Sequence, residues 1–394
     1  MAQTKKMILA LITCIMLVGC GDNLIPQPEN SETTKSVTTA ENITTDTATT
    51  SENIVTDVTT SEINNPGLNA SEILKKMSLE EKVAQLFFVD DRVAKEDISK
   101  VGGFYFYRKD LPDEKSASDF IKSINENAVI PLFFATDEEG GIVDRVSQLP
   151  NAPKTTSAYD LNGDTAKALS QAKQIGSYLE NLGLNVDFAP VADVWTNPAN
   201  TVIGKRSFSS DPAICAKMVE AYIDGLHSEK MLTTAKHFPG HGDTKEDSHE
   251  GSAYTYKTLE EIEQTELIPF KAAIANGVDF IMTGHITAPE ADSEPASLSA
   301  FWHSYLRNEL GFKGIIVTDA LGMGAVSTPP SSETAVKALL AGADMLLSPV
   351  DFKEALSGVI NAVNNGTISE QRIDESVLRI VQLKSNKGLM GVNS

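Results

Sequence analysis

The stretch KHFPGHGDTKEDSHE, residues 236–250, holds three of the chain's six histidines together with lysine and several carboxylates. Three chemistries fit such a cluster. His237, His241, Asp243 and His249 are all potential zinc ligands, but Pro239, Gly240 and Gly242 interrupt the rigid element and fixed short spacing on which paired ligands usually sit. A polar surface loop with satisfied histidines is the plain alternative. The third reading is acid/base work by Asp247 and His249, which stand two apart and project to the same side of a locally extended segment. A carboxylate on one imidazole nitrogen fixes the tautomer, raises the pKa and frees the other nitrogen to exchange protons with a substrate. The glycines and proline would let the loop swing.

A proton shuttle needs something to act on. Asp319 follows the β-branched run GIIVT, where a rigid strand end can hold a carboxylate against a substrate carbon. A helix N-cap is an equally good reading of the same aspartate.

The elements that would position these groups alternate along the chain. Apolar or β-branched runs lie at 83–89, 101–107, 131–136, 184–191, 232–238, 278–286, 314–320 and 343–349. Between most of them lie helix-like stretches such as TAKALSQAKQIGSYLENLG and LEEIEQTELIPFKAAIANG, with apolar residues at helical spacing and a glycine stop. This predicts an α/β chain folded as a single (β/α)8 TIM-type barrel, in which chemistry gathers at the C-terminal ends of the strands. Asp137, Asp193, Lys236, His237, His285 and Asp319 all fall at such ends. A doubly wound open sheet has the same alternation, but no Gly-rich phosphate turn follows the first strand.

The 394 residues carry a formal net charge of −21, which disfavours nucleic acid and anionic lipid surfaces as partners. Lys5 and Lys6 precede the apolar run MILALITCIMLV, too short to span a bilayer and right for an export signal. Leu17-Val18-Gly19-Cys20 resembles a bacterial lipobox, which implies a signal peptide over 1–19 and lipidation of Cys20 in a protein anchored to the membrane by its lipid and facing outward. Residues 20–68, rich in Ser, Thr, Asn and Glu, read as a disordered tether. The barrel takes 69–394. With Cys14 removed and Cys20 lipidated, Cys215 is the only thiol left, so a disulfide framework is excluded.

KHFPGHGDTKEDSH, with DEEGG, IGKRSF, TDALGM and the closing ISEQRIDESVLRIVQLKSNKGLM, resembles the bacterial β-N-acetylglucosaminidases of glycoside hydrolase family 3 across roughly residues 70–390. The resemblance implies a retaining exo-acting glycosidase for terminal β-linked N-acetylglucosamine of cell-wall fragments or chitin-like oligosaccharides. It makes Asp319 the nucleophile and His249, oriented by Asp247, the acid/base. Asp137, Arg145, Arg206, Lys236 and His237 would hold sugar hydroxyls. It implies no cofactor and no metal, a monomer whose partner is a carbohydrate, and an active-site loop supplied by the barrel itself. A neutral imidazole base repels phosphate less than a carboxylate would, so phosphorolysis is expected to compete with hydrolysis. Two departures stand out: Glu138 replaces the family's usual glutamine and Ile142 its first arginine, changing the charge at the rim. A surface lipoprotein that binds sugar without turnover and a metal-dependent TIM-barrel hydrolase are the alternatives.

Overall fold

The computed structural model describes residues 69–390. The expected signal peptide over 1–19, Cys20 and the expected tether over 20–68 lie outside the described residues. Among those described, no helix is long and apolar enough to cross a membrane.

Eight parallel strands form the centre: β1 (Phe87–Val89), β2 (Gly103–Phe106), β3 (Phe133–Thr136), β4 (Val186–Asp187), β5 (Leu232–Phe238), β6 (Phe280–Thr283), β7 (Ile315–Thr318) and β8 (Leu346–Leu347). Each pairs with its sequence neighbours, β1 also pairs with β8, and a parallel bridge between Val317 and Met345 closes the ring. β2 and β3 pair in step, with Gly103 opposite Phe133 and Phe106 opposite Thr136, whereas the longest strand, β5, shifts register against β6 between Ala235 and Phe238. The TIM-type barrel predicted from the alternation is the fold.

The barrel interior is filled by aromatic rings. Phe88 packs on Phe133, Phe188 and Phe280 at centroid distances of 6.0, 5.3 and 6.3 Å. Gly103 makes room for this layer, because a Cβ there would stand 2.2 Å from the Phe88 ring. Below it Lys384, on the last helix Glu370–Asn386, donates to Gln85 Oε1 at 3.0 Å and the Gly102 carbonyl at 2.9 Å. Its ammonium lies 4.8 Å from the Phe133 ring centre, and burial drives its pKa well down. Close packing in this way fills one end of the barrel, leaving polar chemistry to the other.

Helix boundaries follow local chemistry. Asp164 caps Thr165–Leu182 through the Lys167 N–H, and Gly183 ends it at φ +94, where a side chain would be strained. The stretch LEEIEQTELIPFKAAIANG forms two helices, Leu259–Gln264 and Leu267–Ala275. The break falls at Glu266, whose buried carboxylate turns to Lys257 Nζ at 2.6 Å. The run 278–286 also divides. Its first part is β6, and beyond Gly284 the segment Ile286–Ala288 leaves the barrel to join an outer three-stranded sheet with Ala253–Tyr254 and Asp292–Pro295.

Candidate active site

The strand-end residues face a cavity of about 230 Å³ whose lining includes Tyr105, Asp137, Arg206, Lys236, His249 and Asp319. Asp319 follows β7 directly. Its N–H is held by the Thr283 carbonyl at 2.9 Å, and its Oδ1 accepts the Ala320 N–H at 2.7 Å. Oδ2 has no hydrogen bond among the described residues and remains available to a substrate carbon. The next helix begins only at Ser331, so Asp319 is no N-cap. Burial pushes its carboxyl upward, but His285 and His237 nearby, with the Ala320 N–H, bring it below the ordinary range. His285 fixes the peptide after the carboxylate. Its Nε2 donates to the Ala320 carbonyl at 2.9 Å, which leaves Nδ1 to accept from Ser297 Oγ at 2.7 Å.

Asp247 and His249 meet in a tight turn rather than the extended segment that their spacing suggested. Asp247 Oδ1 accepts both the His249 backbone N–H at 2.9 Å and its ring Nδ1–H at 2.7 Å. An aspartate that closes a turn on its own i+2 amide holds the neighbouring ring without any strand geometry. Partial burial works against ionisation of Asp247, but the two His249 donors lower its pKa. His249 Nε2 then points free in a side chain that is 62% exposed.

The remaining predicted residues form one chain of charge. Arg145 lies 3.4 Å from Asp137, Asp137 is 2.6 Å from Lys236, and Lys236 is 2.6 Å from Glu139. Arg206 grips Glu139 with two bonds of 2.8 Å and approaches His237 Nε2 at 3.4 Å. His237 Nδ1 in turn meets Asp193 at 2.8 Å. Burial alone would raise Asp137 and Glu139, but Lys236 and Arg145 overcome it at Asp137, and Arg206 and Lys236 hold Glu139 at about 2. Both stay ionised and can accept from hydroxyls. Glu139 and Tyr105, whose hydroxyl donates to Asp137, escaped the sequence reading. Glu139 was legible as the third residue of DEEGG, but Tyr105 sits in an apolar run with no signal.

The histidines of the loop are each engaged separately. His241 is buried between Thr244 Oγ1 at 2.8 Å and Ser248 Oγ at 3.0 Å, and burial followed by the nearby His237 lowers it to about 4. Asp243 takes Thr255 Oγ1 at 2.7 Å. Among the described residues no three metal-ligating groups converge. Gly240 and Gly242 also serve packing. A Cβ on Gly242 would stand 1.9 Å from the Val194 carbonyl, and one on Gly240, where φ is +133, would stand 2.5 Å from Glu266 Cγ.

Glu138 does not alter the rim charge, because it points inward and is fully buried. Its Oε2 accepts the N–H groups of Arg145 at 2.6 Å and Val146 at 3.2 Å, tying down the loop that carries Arg145. Its Oε1 meets no donor among the described residues. Burial, with the Asp144 and Asp187 carboxylates nearby, raises it from 4.5 to about 9, so it is protonated at neutral pH and stands in for a glutamine. Ile142, at the exposed tip of the turn, does replace charge at the rim by an apolar side chain.

A carboxyl group whose folded pKa is raised binds its proton where the unfolded chain has lost it, so stability falls as pH rises between about 4.5 and 9. Glu138→Gln removes this slope. At pH 8.5 its melting temperature is expected to exceed the parent's by several degrees, at about 2–4 °C per kcal/mol, with near-equality at pH 5. Equal melting temperatures across that range would contradict a neutral Glu138.

The model of the Glycosyl hydrolase family 3 N terminal domain matches residues 78–383. The chain is similar to the Beta-hexosaminidase of Stenotrophomonas maltophilia (strain R551-3), 34% identical over 277 residues that cover 68% of this chain and 82% of that protein. Among solved structures it is similar to a glycoside hydrolase family 3 beta-N-acetylglucosaminidase from Paenibacillus sp. str. FPU-7, with 36% identity and a TM-score of 0.75, covering 79% of this chain and 63% of that one. It is also similar to Beta-glucoside phosphorylase BglX, with 25% identity and a TM-score of 0.76, covering 82% of this chain and 62% of that one. With the ordered motifs, the closed barrel and this match over most of its length, the chain belongs to glycoside hydrolase family 3.

Proposed function

We propose that this family 3 enzyme removes terminal β-linked N-acetylglucosamine, from cell-wall fragments or chitin-like oligosaccharides, by double displacement. The observation that carries the reading is that Asp319 and His249, seventy residues apart in the chain, line one cavity with the charged chain from Arg145 to His237. In the first step Asp319 Oδ2 attacks the anomeric carbon, the bond to the leaving oxygen breaks, and that oxygen takes a proton from His249 Nε2. In the second, water attacks the same carbon, gives its proton to His249 and releases Asp319. Asp137, Lys236, Arg145, Arg206 and His237 would hold the ring hydroxyls, and their fixed geometry orients the sugar without reorganisation.

Imidazole suits this exposed position because it exchanges protons near neutral pH without the burial that a carboxylic acid requires. The similarities to proteins called Beta-hexosaminidase and beta-N-acetylglucosaminidase support the choice of sugar. The test is release of the chromophore from an aryl β-N-acetylglucosaminide, run with EDTA and with phosphate. Turnover that survives the chelator is expected, with sugar 1-phosphate appearing in the phosphate arm. Tight sugar binding with no turnover would favour a binding protein, and loss of turnover on chelation a metal-dependent hydrolase.

A further inference from the structure

His249 and Asp247 sit on an exposed loop, and catalysis needs the imidazole held over the cavity. The loop is pinned on two sides. Inside, Ser248 is buried and its hydroxyl meets His241 Nε2 at 3.0 Å. Across the mouth, the segment that follows Asp319 donates two backbone bonds: Gly324 N–H to the His249 carbonyl at 3.0 Å and Ala325 N–H to the Ser248 carbonyl at 3.3 Å. That segment is itself closed by turns, Met323 N–H to the Ala320 carbonyl at 3.0 Å and Val326 N–H to the Met323 carbonyl at 3.1 Å. The proton donor is therefore attached by its own backbone to the loop that carries the nucleophile.

The contact requires glycine for the neighbour's sake. A Cβ on Gly324 would stand 2.8 Å from the carbonyl oxygens of both His249 and Glu250 and 2.9 Å from the Glu250 carbonyl carbon. These are backbone atoms, which cannot turn aside as a side-chain tip would. Gly324 does not have a positive φ, so an alanine there is not strained by its own conformation. Any side chain instead acts by displacing the loop that carries His249.

We propose that Gly324 is a positioning residue that latches the acid/base loop to the nucleophile loop and so sets where His249 stands relative to the bond being cleaved. This rests on the reading of His249 as the acid/base.

The latch predicts a selective defect in Gly324→Ala. Cleavage of a disaccharide, whose leaving oxygen needs a proton, should fall roughly 10- to 100-fold in kcat, a part of the roughly 10²- to 10⁴-fold that a positioned general acid contributes. Formation of the glycosyl-enzyme from a dinitrophenyl glycoside, whose leaving group departs unprotonated, should change little. In a His249→Ala background the same substitution should cost nothing more, because the two act through one group. Hydrogen exchange supplies a readout independent of turnover: amides of residues 320–327 should be protected in the parent and exposed in Gly324→Ala. Equal losses on both substrates, full additivity with His249→Ala, or unchanged exchange would each overturn the latch. A parent that hydrolyses neither substrate would instead count against the enzymatic reading, and exchange would still decide whether the latch exists.

Discussion

Asp319→Asn should lower kcat on an aryl β-N-acetylglucosaminide by roughly 10⁴-fold or more, the scale on which removal of an enzyme's nucleophile acts. The change is nearly isosteric. The amide oxygen can still accept the Ala320 N–H that Oδ1 now takes at 2.7 Å, and His285 still holds the Ala320 carbonyl. What is lost is the second oxygen, which has no hydrogen bond among the described residues and which the amide nitrogen cannot replace as a nucleophile. Melting temperature and binding of free N-acetylglucosamine should stay near those of the parent, so the loss falls on the chemical step. A variant that keeps a tenth of the parent's kcat would show that another group attacks the sugar.

The second large effect depends on the substrate. His249→Ala should slow cleavage of a disaccharide by roughly 10²- to 10⁴-fold, the usual worth of a positioned general acid. A dinitrophenyl glycoside should form the glycosyl-enzyme at nearly the parent's rate, and that intermediate should then accumulate for want of a base. Azide, which needs no deprotonation, should restore turnover and yield the glycosyl azide. Asp247→Asn should move in the same direction by less, since the ring keeps its place in the turn while Nδ1 loses an ionic acceptor at 2.7 Å. A uniform loss across leaving groups, or no rescue by azide, would assign the proton transfer to a different residue.

The barrel was readable from sequence because each strand is a short buried run and several of the helices carry their own caps. Thr165–Leu182 ends at Gly183, and Glu370–Asn386 starts at Ser369. Pattern and structure part where neighbouring elements cut a run short. The first run, 83–89, begins as the end of a helix, since Ser78 caps Leu79–Ala84 and only Phe87–Val89 forms strand. The run 278–286 leaves the barrel at Gly284, where the next residue, His285, turns to hold Ala320. Neither departure has a periodic signal.

The site was legible in its charged members, because lysines, arginines and aspartates at strand ends have few roles other than chemistry. Its connectivity was not. That Glu139 would bridge Lys236 and Arg206, or that Glu138 would be buried and neutral beside an ionised Asp137 and Glu139, depends on which way each side chain faces. The alternation of in and out along 137–139 is set by the tight turn at Gly140 and Gly141, both at positive φ, and by Asp187 accepting the Glu138 N–H at 2.9 Å. Likewise, the turn that joins Asp247 to His249 carries the pairing by a different geometry from the one their spacing suggested.

The nucleophile is identified directly by trapping the enzyme with a 5-fluoro N-acetylglucosaminyl fluoride and mapping the adduct by peptide mass spectrometry. One sugar per chain is expected, esterified to Asp319. A sugar found on Asp137, Glu139 or any other carboxylate, or steady turnover of the reagent with no covalent species at any time, would contradict it.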